Sequence, residues 1–421
     1  MSAIQPFKAL YYNKTKLGDL SKVVCPPYDV ITPEHQADYY NQSEFNFVRI
    51  ILGKDQPEDD RNSNKYSRAK DLFQKWQQDG IFLEDDQPSI YYYKQEYRVM
   101  GEKHSRLGFI SLMRIHDDQD AKIFPHENTH MKAKEDRLKL WKSLSANLSP
   151  IFVCFSDTTK RVNTIFFEKV ASTEPMLDVE DDEGVHHTLW RLSDAGLVQK
   201  IVEALAGQPL FIADGHHRYE VARELQKQMK EKVSHYTGEE PFNFVMTYLT
   251  DISSRDLKIF PMHRIIKKIS LKTEWLEELF RVDKFKTKED LSIRLAKAGK
   301  NEHAFGLYTA DSTRLLRLRN PSLIDKYIQE GSEEFRRLDA TILKHFILDR
   351  AGVASEDIVY THDLARATRD VDAGLAEASF IMNPVKIQQL KAIALKGEKM
   401  PPKTTYFYPK VLSGLTIHKI H

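Results

Sequence analysis

The sequence predicts an α/β protein with mixed α+β sheets, and three observations carry that expectation. Short apolar or alternating runs of strand type interleave with stretches of 3.6-residue helical spacing along the chain. Two β-rich runs, 89–98 and 105–115, flank Met100-Gly101-Glu102-Lys103 and read as a hairpin. In the middle, Pro209-Leu210-Phe211-Ile212-Ala213 ends in Asp214-Gly215, and helical spacing resumes at 219–230: a strand, a tight turn and a helix.

Taken in order, the run 46–52 predicts a strand and 65–78 an amphipathic helix. After the hairpin, a polar loop carries Phe124-Pro125-His126-Glu127-Asn128-Thr129-His130, before a helix from about 134 to 144 and a strand at 151–155. His186-His187 follows the acidic stretch 178–183 and reads as an exposed loop. Beyond the central turn, 242–249, 303–308 and 315–318 predict strands, and 274–280 and 338–348 predict helices. The polar run Thr237-Gly238-Glu239-Glu240 sets the expected boundary between an N-terminal domain, 1–236, and a C-terminal domain, 237–421. The aromatic segment from Met400 to Lys410 is expected to pack back onto the body.

Composition narrows the function classes. With 421 residues the chain exceeds the roughly 250–300 at which single cores stop growing, so two or three domains are expected. Lys and Arg number 62 against 61 Asp and Glu, a net charge of +1, so no global field recruits nucleic acid or an anionic membrane. Any anion must be met by a local site. At a mean hydropathy of -0.50, no apolar run approaches the roughly 18 residues of a spanning helix, and the N-terminus shows no export signal. Only Cys25 and Cys154 are present, which excludes a disulfide framework and fits a reducing, cytoplasmic setting.

The strongest chemical signal is Asp214-Gly215-His216-His217-Arg218, at the carboxyl end of a strand and the start of a helix. Backbone N–H groups and the helix dipole favour an anion there. Gly215 supplies the permissive backbone, Arg218 a planar fork for phosphate, and the two imidazoles hydrogen bonds. Asp214 can cap the helix or bind hydrated magnesium. The bland alternative is a capped turn with a solvated His-His-Arg run. Zinc fits poorly, because adjacent helical residues point about 100° apart. Upstream, Glu127 beside His126 can act as a general base in phosphoryl transfer, or stand as an ordinary loop acid. Cys25-Pro26-Pro27-Tyr28-Asp29-Val30 presents Tyr28 and Asp29 from a rigid backbone, as a ligand wall or an N-terminal wrap. Lys403 and Lys410, among aromatics, can contact phosphates or form a packing strand. Asn147-Leu148-Ser149-Pro150 reads as structural.

At these residues the sequence resembles the bacterial and archaeal family classed as domain of unknown function 1015. The likeness runs through Cys25 to Val30, Pro125 to Thr129, Asn147 to Phe152, Asp214 to Tyr219 and Met400 to Lys410. The Asp214 turn also resembles the phosphate-binding motif of the ParB/sulfiredoxin-like superfamily, which includes free L-serine kinases. That resemblance implies a ParB/sulfiredoxin-like core with large additions and a kinase transferring a phosphoryl group from ATP or ADP, with Mg2+, to a hydroxyl such as that of L-serine. It assigns catalysis to Glu127, His126 and His217. Nucleotide phosphates fall to Asp214, Gly215, His216, His217, Arg218 and Lys403, the acceptor to Tyr28 and Asp29, and the metal to Asp214. Asp214 lies 87 positions after Glu127 (214 minus 127), farther than in the compact kinases, so a large insertion or a rearranged core is required.

The alternative is a ParB-like nucleotide-binding regulatory module, in the manner of domains that bind CTP. The near-neutral charge and lack of a basic recognition helix argue against a DNA partner. A sulfiredoxin-like oxidoreductase needs a reactive Cys beside the turn, where this chain has Ala213. The expected partners are therefore a nucleotide and a small molecule, with no membrane or nucleic acid, and a homodimer is left open.

Overall fold

The structure, a computed structural model, describes residues 3–116, 122–127, 131–270 and 273–420. Asn128, Thr129 and His130 of the expected loop motif lie outside the described residues. The chain is mixed α/β and forms two compact units. The first comprises Met1–Phe124, Thr129–Leu257 and Pro409–His421, and the second Pro125–Asn128 and Lys258–Tyr408. The boundary expected at 236/237 is displaced. The strand Phe244–Asp251 pairs with two strands of the first unit's sheet, so the polar run at 237–240 leads into a strand and is no linker.

The first unit is built around a sheet that, among the described residues, has nine strands: β1 (Ile4–Gln5), β2 (Ile90–Val99), β3 (Glu102–Arg114), β4 (Ile123–Phe124), β5 (Ile151–Phe155), β6 (Leu177–Glu180), β7 (His186–Leu192), β8 (Leu210–Asp214) and β9 (Phe244–Asp251). Their order is β4-β8-β5-β9-β3-β2-β7-β6, with β1 on β3. The β2–β3 hairpin turns at Met100 and Gly101, both at positive φ, as a tight two-residue connection requires. All of β5 and nearly all of β9 are buried, which is why they read as continuous apolar runs. Around the sheet lie α1 (Lys65–Gln78), α2 (Met131–Leu144), α3 (Ala195–Leu205) and α4 (His216–Lys230). The start of α1 is fixed by a capping box between Asn64 and Ser67, and that of α3 by Asp194, which accepts the Leu197 N–H. α2 packs on α4, and Ile201, Leu205, Ile212 and Tyr219 join one apolar core with Ile151 and Val153.

Two expectations fail in this unit. The run 46–52 is helical at Val48–Ile51, because buried Asn46 accepts the Val48 N–H and donates to the Lys22 and Val24 carbonyls, turning the chain. His186 and His187 are no exposed loop: they open strand β7. His187 is 0% exposed, shares a hydrogen bond with the Tyr93 hydroxyl, and lies 2.9 Å from the Asp181 carboxylate.

The last stretch of chain, Pro409–His421, also belongs to the first unit. Ser413 exchanges backbone hydrogen bonds with Cys25, Ile417 with Leu10, and His418 pairs with Asn147. The Ser149 hydroxyl meets that of Ser413.

The second unit holds a six-stranded sheet of β10 (His263–Ile266), β11 (Phe280–Phe285), β12 (Ala304–Thr309), β13 (Ser312–Leu318), β14 (Ile358–Thr361) and β15 (Ala378–Ile381), in the order β11-β13-β12-β15-β10-β14. Helices α5 (Lys288–Ala298) and α6 (Leu364–Asp372) cover part of it, burying Leu291, Leu295, Ala367 and Val371. The helix expected over 338–348 is a short α turn, Asp339–Leu343, that widens into a π turn at Lys344–Leu348. A separate ribbon pairs Lys258–Phe260 with Tyr406–Tyr408 and stacks Phe260 on Tyr408 at 4.7 Å. No described helix is long and apolar enough to cross a membrane.

Candidate phosphate site

The site begins where β8 ends. Phe211 faces Cys154 and Ile212 faces Val153, then the register slips by one so that Asp214 faces Phe152. The extra residue bends the strand end, as bulges do. Gly215 follows at φ +85° as the N-cap of α4, and it offers no side-chain cap. Gly215, not Asp214, stands at the N-cap position. Left-handed backbone suits glycine, and a Cβ here would come within 2.9 Å of the Arg218 Nη2. The positive end of α4 is therefore presented by a turn that only a glycine fills without strain.

Arg218 is not the open surface fork that its sequence context suggests. It is 5% exposed, donates to the Pro150 carbonyl, and holds its Nη2 3.6 Å from Asp214 Oδ2. Side chains on a helix lean back toward its N-terminus, so the i,i+4 spacing carries the guanidinium down onto the turn. His216 is buried at 6% exposure, and His217 is the more open of the pair.

Two further segments reach this turn. Lys410, with its side chain 11% exposed, places Nζ 3.4 Å from Asp214 Oδ2. Tyr28 lies within electrostatic range of both Asp214 and Arg218, and the Arg137 guanidinium stands 3.9 Å from its ring centroid. Burial, reinforced by the neighbouring Asp29 carboxylate, pushes the Tyr28 hydroxyl well above its ordinary range, so it acts as a neutral hydrogen-bonding group. Asp29 is exposed.

Asp214 was expected to hold a metal, and its surroundings do not fit one. Its carboxylate is faced by two cationic side chains, which compete with a divalent ion. Among the described residues, no group of three or more His, Cys, Asp and Glu can hold a metal ion.

In the second unit, Glu127 and Lys403 come together. Glu127 bridges to Met400, and its Oε1 accepts the Lys403 N–H at 2.9 Å. Lys403 takes the left-handed conformation at φ +53°, so the loop presents its amide to the carboxylate. Buried Arg264, pushed down to about 10 by desolvation, lies within electrostatic range of Glu127 and of Tyr360. His126 is 0% exposed, accepts the Met400 N–H at its carbonyl, and sets Nε2 3.4 Å from the Thr405 hydroxyl. Such burial suits His126 to bracing the loop rather than to the catalytic part expected of it.

Sequence reasoning gave Arg137 no part, although a signal existed. Arg137 shares a buried helical stripe with Leu140, Trp141 and Leu144, and a charge on an apolar stripe calls for a partner. In the sequence Lys410 is one of two lysines among aromatics, and its pairing with Asp214 leaves no local mark.

Residues 4–341 match the family described as "Protein of unknown function (DUF1015)". No curated protein matches the chain. Among solved structures, a conserved hypothetical protein from Pyrococcus furiosus aligns at 16% identity over 72% of this chain and 92% of its own, with a TM-score of 0.36. A free serine kinase in complex with AMP aligns at 16% identity over 71% of this chain and 86% of its own, with a TM-score of 0.37. SbnI with a C-terminal truncation, from Staphylococcus aureus, aligns at 11% identity over 72% and 85%, with a TM-score of 0.37. Likeness at this level leaves the function to be argued from the chain's own residues.

Proposed function

This chain belongs to the DUF1015 family, and from that premise and the geometry of the Asp214 turn we propose that it is a small-molecule kinase moving a phosphoryl group from ATP or ADP to a hydroxyl, with free L-serine as the acceptor. The observation that carries the reading is the meeting of Asp214, Arg218, Lys410 and Tyr28 at the N-terminus of α4. A helix start with cationic side chains around it is suited to hold a phosphate. The resemblance of the Asp214–Arg218 turn to that of free serine kinases supplies the reaction class.

In this reading the nucleotide's terminal phosphates lie against the first turn of α4, met by backbone N–H groups and by His217. Buried Arg218 holds the turn rigid and contributes charge. The nucleotide enters as its magnesium chelate, so the metal belongs to the substrate. Tyr28 and Asp29 are assigned to the acceptor, and a general base takes the proton of its hydroxyl as the oxygen–phosphorus bond forms and the bond to the nucleotide's bridging oxygen breaks, the part that the family resemblance gives to Glu127. Lys403 fixes the Glu127 carboxylate through its N–H. Catalysis is mostly positioning and charge stabilisation.

The test is a 31P NMR screen of the full chain with ATP or ADP and free amino acids. A new O-phosphoserine resonance is expected. Nucleotide binding with no new phosphoester would overturn the kinase and leave the regulatory module.

A further inference from the structure

The charge at the turn is decided by Lys410, far along the chain in the Met400–Lys410 segment. Asp214 and Arg218 form an ion pair whose charges cancel, and a carboxylate at a helix start repels a phosphate. The Lys410 ammonium, 3.4 Å from the same carboxylate, adds one positive charge, so the three side chains together are cationic. Leaving the imidazoles aside, the turn attracts phosphate because Lys410 is there.

The fold secures Lys410 from below. Arg106 and Gln95, both 0% exposed, hold the backbone on either side of its side chain. Arg106 donates to the Pro409 carbonyl at 2.6 Å and to the Gln95 side chain, and Gln95 donates to the Lys410 carbonyl at 2.8 Å. The Arg106 guanidinium lies 4.7 Å from the centroid of Phe152, which faces Asp214 in the β5–β8 register. Three residues further on, Ser413 is tied to Cys25 by two backbone hydrogen bonds, which fastens the same stretch to the segment bearing Tyr28. A buried arginine is costly unless its donors are used, and here one bond fixes a stretch of irregular backbone directly and another does so through Gln95. Such an anchor determines where the next side chain points.

We propose that Lys410, delivered by the C-terminal return and positioned by Arg106 and Gln95, binds the terminal phosphates of a nucleoside di- or triphosphate at the Asp214 turn. The inference rests on the nucleotide reading above and names one of its ligands. Lys410 bridges Asp214 and the incoming phosphate, so Asp214 serves to aim the ammonium.

The experiment measures the affinity of the full chain for ADP, AMP and adenosine by calorimetric titration, with a thermal melt of each variant. Lys410→Met is expected to weaken ADP by about 10- to 100-fold, the worth of a charged hydrogen bond, while changing adenosine less than twofold. Lys410→Arg keeps the charge and is expected to stay within about fivefold of wild type for ADP. Lys410→Gln, which keeps a polar end in place of the ammonium, is expected to behave as Lys410→Met and covers the case in which the methionine variant does not fold. If wild type binds ADP and a folded, neutral variant binds it equally well, the role of Lys410 is overturned and the nucleotide reading stands. If wild type does not bind ADP, and ATP titrated in the same way does not bind either, both fall together.

Discussion

The Glu127 carboxylate accepts the Lys403 backbone N–H, a contact that an amide oxygen can also accept. Glu127→Gln is therefore expected to leave the loop and nucleotide affinity intact and to lower turnover by about a hundredfold or more, the usual cost of losing a general base. Steady-state rates beside ADP titration would separate the two, and wild-type turnover in the variant would pass the base role to another carboxylate, with exposed Asp29 the next to test. Arg218 behaves differently because it is buried. Arg218→Ala removes the donor to the Pro150 carbonyl and one of the two cations beside the Asp214 carboxylate, and opens space beneath the turn. It is expected to cost about 1–3 kcal/mol of stability as well as nucleotide affinity. Urea denaturation reads the first loss. A variant as stable as wild type would mean that the guanidinium does not hold the turn.

At the scale of elements, the strand–turn–helix unit at 210–230 depends on Gly215. Gly215→Ala is expected to cost about 1–2 kcal/mol from left-handed backbone alone, with a further loss of ADP affinity as the new Cβ presses on Arg218. A melt and a titration unchanged from wild type would sink this account of the turn. This unit was legible in the sequence because its signals are local: an apolar run, Asp-Gly, then helical spacing. The hairpin about Gly101 and the helix Lys65–Gln78 were legible for the same reason. What escaped depends on distant partners. The run at 46–52 has strand composition, yet buried Asn46 ties it to Lys22 and Val24 and bends it into a helix. His187 follows an acidic stretch and looks solvated, but Tyr93 from the neighbouring strand satisfies it inside the sheet. Within the site, the turn itself was readable. Its third charge was not, because Lys410 reaches Asp214 only after the chain has built the second unit and returned.

For the whole molecule, each unit buries a histidine that the fold needs neutral. Desolvation pushes His418 in the first unit down to about 4. It does the same to His263 in the second, again to about 4, where adjacent Arg264 adds to the effect and His263 Nδ1 accepts the Met382 N–H at 3.1 Å. An unfolded histidine titrates near 6.5, so between about 6.5 and 4 the unfolded chain binds protons that the folded chain refuses. The contribution is fully present above about 6.5, is lost as pH falls through that window, and changes no further below about 4. Each histidine contributes on the order of 3 kcal/mol across it. Burial also lowers His187, with Asp181 opposing, so the first unit carries a second dependence of the same sign. Urea denaturation between about pH 4.5 and 7.5 should show stability falling toward acid, and His418→Leu should flatten the slope for the first unit, since it removes the group that must stay unprotonated. A variant with the full wild-type slope would place the acid sensitivity elsewhere.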